Sequence, residues 1–145
     1  MSIGDIAKQV DARPGQVVTV ALGGADATEL VHALDVALDD GRDIAPEVHF
    51  VLGRGGRTRE GTIAQFVAAL RLPYAAAEDW DAFIYQLGEG SVGSRRCIVV
   101  ADAQELLADD AEAREELLFH LPSGPHCLGG GWTTVVLAAG PGQHS

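Results

Sequence analysis

Apolar residues follow two alternating rhythms along this chain. Four short runs, at 17–22, 48–52, 97–101 and 133–138, are rich in valine and isoleucine and mostly lack alternation with polar positions. Runs of that kind suit strands of a sheet covered on both faces. Between them the apolar residues recur at three- and four-residue intervals, the spacing of a helix with one inward stripe. Ile3, Ile6, Ala7 and Val10 give a small amphipathic helix ahead of Pro14. Leu30, Val31, Leu34 and Leu38 give a second, with Asp26 and Glu29 reading as its capping box and Gly41 as its stop. A third begins near Thr58 or Arg59 and carries Ile63, Phe66, Val67 and Leu70 on one side. It ends before Pro73, because proline disfavours a helical residue ahead of it.

The stretch 72–89 holds a fourth helical pattern and the most distinctive surface. Read from Glu78, the residues Trp80, Phe83, Ile84 and Leu87 form one apolar stripe. At about 100° per residue, Glu78, Asp81, Tyr85 and Glu89 all fall on the opposite side. That outer face has three carboxylates around one aromatic ring, and this helix supplies no basic residue to neutralise them. Asp79 points away from Asp81 and reads equally as an N-terminal cap. After the third strand, 102–108 reads as a short helical turn. A longer helix over 110–121 follows, with Leu117, Leu118 and Leu121 inward and Asp110 and Glu112 leading it, as the helix dipole favours.

Strands alternating with helices predict an α/β fold: a small, mainly parallel β-sheet of three to four strands flanked by helices. The two helices joined without a strand between them, around Pro73, depart from simple alternation and narrow the choice. The division expected is a helical arm at 1–16, a lead-in strand and helix at 17–46, a main domain at 47–139 and a flexible tail at 140–145.

Charge then limits the partners. The 145 residues include 10 basic and 21 acidic side chains, a formal net charge of −11. Direct binding to nucleic acid is not expected, since its affinity comes from neutralising phosphates with lysine and arginine. A strongly basic partner fits better. No run approaches the roughly 20 apolar residues of a membrane span. The first residues lack the charged start and apolar core of an export signal, so a cytoplasmic address is expected. Cys97 and Cys127 then read as reduced thiols.

Enzymatic motifs are weak. Leu22-Gly23-Gly24-Ala25-Asp26 sits where a dinucleotide fingerprint would, but lacks its glycine spacing and would set Asp26 against a pyrophosphate. His120, His126 and Cys127 lack a metal-binding spacing. Arg54-Gly55-Gly56-Arg57 reads either as a phosphate site or, more simply, as a mobile turn. The acids at 102–116 read as a solvated surface. No catalytic residue, cofactor or metal is expected.

The order of elements over about 47–138 resembles the barstar-like family of ribonuclease inhibitors. The quoted pieces are the strand Val48-His49-Phe50-Val51-Leu52-Gly53, the junction Leu72-Pro73, the motif Asp79-Trp80-Asp81-Ala82-Phe83, and the strands at 96–102 and 133–137. The resemblance implies a non-catalytic, monomeric inhibitor or immunity protein that plugs the active site of a basic ribonuclease toxin. It implies a partner surface of Tyr74, Ala77, Glu78, Asp79, Asp81, Tyr85 and Glu89, with Asp81 at a position that is acidic in the family and Trp80 as an inward anchor. Tyr85 and Ile84 stand where the best-studied members have an acid and an aromatic, and Ala75, Ala76 and Ala77 fill a loop that usually holds an aromatic and a glycine. These replacements leave room for a different cognate toxin. The alternative expectation is a regulatory or scaffold module that keeps the fold and no longer binds a nuclease.

Overall fold

A computed structural model describes residues 2–22, 24–38, 47–91, 95–122 and 132–139. Its strands are β1 (Val17–Ala21), β2 (Glu47–Leu52), β3 (Arg95–Ala101) and β4 (Trp132–Ala139). Its α-helices are α1 (Ile3–Asp11), α2 (Gly24–Leu38), α3 (Arg59–Leu70), α4 (Trp80–Ser91) and α5 (Ala111–His120), with short 3-10 turns at Gly53–Gly55, Tyr74–Ala77 and Ala103–Glu105. The strands form one sheet in the order β1-β4-β3-β2, every pair parallel. The fold is therefore α/β with a small parallel sheet flanked by helices.

The topology explains which helix covers which face. From β1 the chain crosses the whole sheet to β2, then returns strand by strand through β3 to β4. Crossovers of one hand made in opposite directions must lie on opposite faces. Accordingly α2, joined by α1, packs on Val18, Cys97, Val99, Ala101, Val136 and Ala138. The other face, with Val51, Ile98, Val100, Val135 and Leu137, is covered by Phe66 of α3, Phe83 and Leu87 of α4, and Leu117 of α5. Alternate residues of β3 and β4 feed the two cores, as a pleated strand requires.

The apolar runs identified the central strands well. In β3 and β4 nearly every residue is buried, whereas β1 and β2 are only partly covered. The expectation of strands covered on both faces is corrected for those two. They are the sheet's edges, and an edge strand has a neighbour on one side only.

Helix ends follow local chemistry. Thr58 Oγ1 accepts the Gly61 amide at 3.1 Å at the start of α3, and Asp110 Oδ1 accepts the Ala113 amide at 3.0 Å at the start of α5. Helix α3 ends on Arg71, which takes a left-handed conformation with φ 53°. The capping-box reading of Asp26 does not hold. Helix α2 already begins at Gly24, so Asp26 lies within its first turn, where its charge complements the helix dipole.

Candidate functional site

Leu72 and Pro73 bring the chain out of α3 in extended form, and Tyr74–Ala77 then tightens into one 3-10 turn. Ala76 is fully buried in that turn, leaving Tyr74 87% exposed. Glu78 closes the turn, so it precedes α4 and does not belong to it, contrary to the helical reading from Glu78. The physical reason is the next residue. Asp79 Oδ1 accepts the Ala82 amide at 2.7 Å, which fixes the start of α4 at Trp80. Asp79 thus serves as the N-terminal cap of α4 while remaining exposed.

From that start the inward stripe is Trp80, Phe83 and Leu87, all buried. Phe83 meets Phe66 edge-on at 5.8 Å between ring centroids and Trp80 at 5.3 Å. The Trp80 indole Nε1–H donates to Glu116 Oε1 at 2.7 Å, and the Arg59 guanidinium lies 5.3 Å over its ring. Trp80 is the inward anchor that the motif implied.

The outer face carries Asp81, Tyr85 and Glu89, all exposed, with Tyr85 at 62%. Glu89 hydrogen-bonds the Tyr85 phenol and, with its charge, raises the phenol's pKa, so the ring stays a neutral donor. Ala77 and Glu78 are also exposed at the leading end. The seven residues singled out in the sequence therefore lie along one continuous stretch of turn and helix, with the Asp79 carboxylate partly committed to the backbone.

Sequence reasoning missed the cations at the far end of this face. Gln86 and Glu89 line a crevice of about 370 Å³ together with Arg71, Arg96 and His49. Arg96 is buried at its floor, donating through Nε to Thr133 Oγ1 at 3.0 Å and through Nη2 to the Leu87 carbonyl at 2.9 Å. Burial lowers its pKa, and the charge of Glu47 opposes that shift. His49 contacts the Ala69 carbonyl at 3.0 Å and Glu47 at 3.3 Å. The available signal was the strand register, which sets Glu47 opposite Arg96. That pairing exists only once the sheet is built.

A second hollow, about 480 Å³, runs between α3 and the turn leading into α4, with Ile63, Ala64, Val67, Ala77 and Trp80 along it. Its banks carry Arg59, Glu60, Glu78 and Asp79.

The Arg54–Arg57 loop is neither a phosphate cradle nor a loose turn. Arg57 is paired with Glu105 and, at 3.1 Å, with Asp109; Arg59 meets Asp110 at 2.7 Å and Arg54 meets Asp102 at 3.5 Å. The loop also closes through backbone, with the Leu107 amide on the Gly56 carbonyl at 2.7 Å and the Asp109 amide on the Arg57 carbonyl at 3.2 Å. A Cβ on Gly53 would meet the Asp102 carbonyl oxygen at 2.5 Å, which only glycine tolerates. Three of the acids read as a solvated surface, Asp102, Glu105 and Asp109, are thus spent on the two arginines that a phosphate would need.

Among the described residues no group of three histidine, cysteine or acidic side chains is placed to hold a metal ion, and no helix is long and apolar enough to cross a membrane. His120 is exposed at the end of α5. His126, Cys127 and the tail at 140–145 lie outside the described residues. No protein-family model matches the chain, and no curated protein or solved structure matches it either.

Proposed function

We propose that this chain is a non-catalytic inhibitor of a basic ribonuclease, acting as a monomeric, cytoplasmic immunity protein of barstar-like type. Its surface of Tyr74, Ala77, Glu78, Asp79, Asp81, Tyr85 and Glu89 stands in for the phosphates and bases of RNA in the enzyme's cleft. One observation carries this reading. The acidic and tyrosyl face is exposed on one side of the sheet, while α1 of the N-terminal arm and α2 of the lead-in pack on the opposite side. Among the described residues, nothing before β2 shields it. Two tyrosines, 87% and 62% exposed, flank the carboxylates, and exposed aromatic rings beside charge are what a tight protein interface uses as anchors.

In this mechanism the net charge of −11 speeds encounter with a basic enzyme, Asp81 and Tyr85 occupy the centre of the contact, and Glu78 and Glu89 form its rim. The partner is sought among small basic nucleases captured on the immobilised chain from the native culture medium and confirmed by loss of ribonuclease activity. Asp81→Ala combined with Tyr85→Ala should weaken the complex by about 30-fold or more, the scale of a central contact. Glu115→Ala, on the exposed side of α5, should change it by less than about threefold, as expected of a remote charge. Equal losses from the two variants, measured by calorimetry, refute the surface.

A second reading is a regulatory or scaffold module that keeps the fold without nuclease binding. It is favoured by the turn Tyr74–Ala77, where alanines fill the loop and Ala76 is turned into the core. Intact ribonuclease activity in the presence of a captured partner supports it over inhibition.

A further inference from the structure

The hollow between α3 and the turn into α4 shares Ala77, Glu78 and Asp79 with the leading end of the proposed nuclease surface, and has a different character from the Asp81–Tyr85 face. Its walls are aliphatic: Ile63, Ala64 and Val67 on one side, Ala77 on the other, with the edge of Trp80 at the end. Ala64 and Ala77 are exposed, and Ile63 and Val67 are half-buried, so these methyl groups face solvent. Its banks are acidic. Glu60 rises from α3, and Glu78 and Asp79 rise from the facing turn, all three exposed.

The nearby cation does not cancel that charge. Arg59 is committed to Asp110 at 2.7 Å and to the Trp80 ring at 5.3 Å, and Asp110, Glu112 and Glu116 add further negative potential around it. Asp79 uses Oδ1 for the helix cap. Glu60 and Glu78 form no ion pair among the described residues. A groove with aliphatic walls and carboxylates on both banks matches one kind of side chain. Its occupant must have a hydrocarbon stem and a cationic head.

We propose that this groove receives an arginine side chain from a basic segment of a protein partner. Its methylenes lie against Ile63, Ala64, Val67 and Ala77, and its guanidinium bridges Glu60 and Glu78. Arginine fits better than lysine because its planar fork can donate to two carboxylates at once. The burial of an aliphatic stem under a charged head is ordinary behaviour for such side chains. The site adds a selective contact beside the Asp81–Tyr85 face and does not depend on the partner being a nuclease.

The test uses the whole chain, isotopically labelled, and three blocked peptides, Ac-Gly-X-Gly-NH₂, with X as arginine, citrulline or norleucine. Citrulline keeps the length and shape of arginine without the charge, and norleucine keeps only the stem. Titration should move the methyl resonances of Ile63, Ala64, Val67 and Ala77 and the Trp80 indole N–H with the arginine peptide. The citrulline and norleucine peptides should bind at least about fivefold more weakly. Ala64→Trp, at an exposed position, fills the groove and should abolish these shifts, and Glu60→Gln with Glu78→Gln should weaken arginine to the citrulline level.

Equal binding of arginine and citrulline overturns the proposal. So do shifts that survive Ala64→Trp, or that gather on the Asp81–Tyr85 face or on α5 instead. Binding on the Asp81–Tyr85 face alone would remove the groove and leave the inhibitor reading standing. Groove binding by a chain that inhibits no captured nuclease would do the reverse.

Discussion

Trp80 and Glu116 are joined across the boundary between α4 and α5 by an indole-to-carboxylate hydrogen bond of 2.7 Å. Trp80 is 8% exposed, and its one polar side-chain atom makes this bond in a part-buried setting. The same tryptophan packs on Phe83 and lies beneath Arg59, so α3, α4 and α5 all meet at this side chain. Removing the acceptor while keeping the ring leaves a partly desolvated donor unpaired, at a cost of about 1 kcal/mol, the lower end of the range for a buried group. Glu116→Ala should therefore lower the stability in urea by that amount, and Glu116→Gln by clearly less, since an amide oxygen still accepts. Equal losses from the two variants would mean that the hydrogen bond is not what matters.

Asp79 and Asp81 are neighbours in sequence with different work. The Asp79 carboxylate accepts the Ala82 amide at the start of α4, whereas Asp81 is exposed and makes no bond of that kind. Losing a cap of this type costs about 0.5–2 kcal/mol, while an exposed substitution away from special features stays within about 0.5 kcal/mol. Asp79→Ala should lower the melting temperature measurably and Asp81→Ala should not. On partner binding the order should reverse once the Asp79→Ala chain is assayed below its melting range. A larger stability loss from Asp81→Ala would contradict the geometry of this helix start.

The difference between those two aspartates also shows what could be read from sequence. The stripe of Trp80, Phe83 and Leu87 was legible because a helix spacing of apolar residues leaves little choice of which side goes inward. The central strands were legible for a similar reason, being valine-rich and covered on both faces. The start of α4 was not, because Glu78 and Asp79 are both acceptable N-terminal residues, and only the 3-10 turn over Tyr74–Ala77 decides between them. The arginine-rich loop was misread because its partners, Asp102, Glu105, Asp109 and Asp110, lie some 50 positions away and meet it only across the ends of β2 and β3. The crevice around Arg71 and Arg96 has the same origin, since it depends on sheet register. Local periodicity reports faces, and contacts between distant loops need the topology.

Cys97 gives a prediction about reactivity. It is fully buried in the α2 side of the sheet, and burial raises its thiol pKa to about 12. The thiolate is the reactive species, so a thiol raised this far and shut away from reagent should be inert in the native protein. In a Cys127→Ser background, labelling by a disulfide reagent at pH 8 should proceed only as fast as the chain opens. Addition of denaturant should release one thiol at once. Rapid labelling of the native variant would show that the second core is far looser than its packing implies.

Asp110 supplies a pH dependence whose sign follows from its partners. Its pKa is lowered from an ordinary 3.8, first by the hydrogen bond from Arg59 and then by the Ala113 amide that it caps. Arg59 is shifted the opposite way by the same contact, so both partners favour the charged pair. A carboxylate whose folded pKa is depressed releases its proton more readily in the folded state. Its contribution to stability is then complete above its unfolded value and fades as pH falls through the lower folded one. Asp110→Asn keeps a side-chain oxygen for the cap and removes the charge, which separates the ion pair from the helix end. The stability gap between wild type and this variant should be constant above about pH 5 and should close below about pH 4. Chemical denaturation at several pH values measures that gap directly. A gap that persists unchanged to pH 2 would assign the difference to the cap and not to Arg59, and would separate α3 from α5 at this contact.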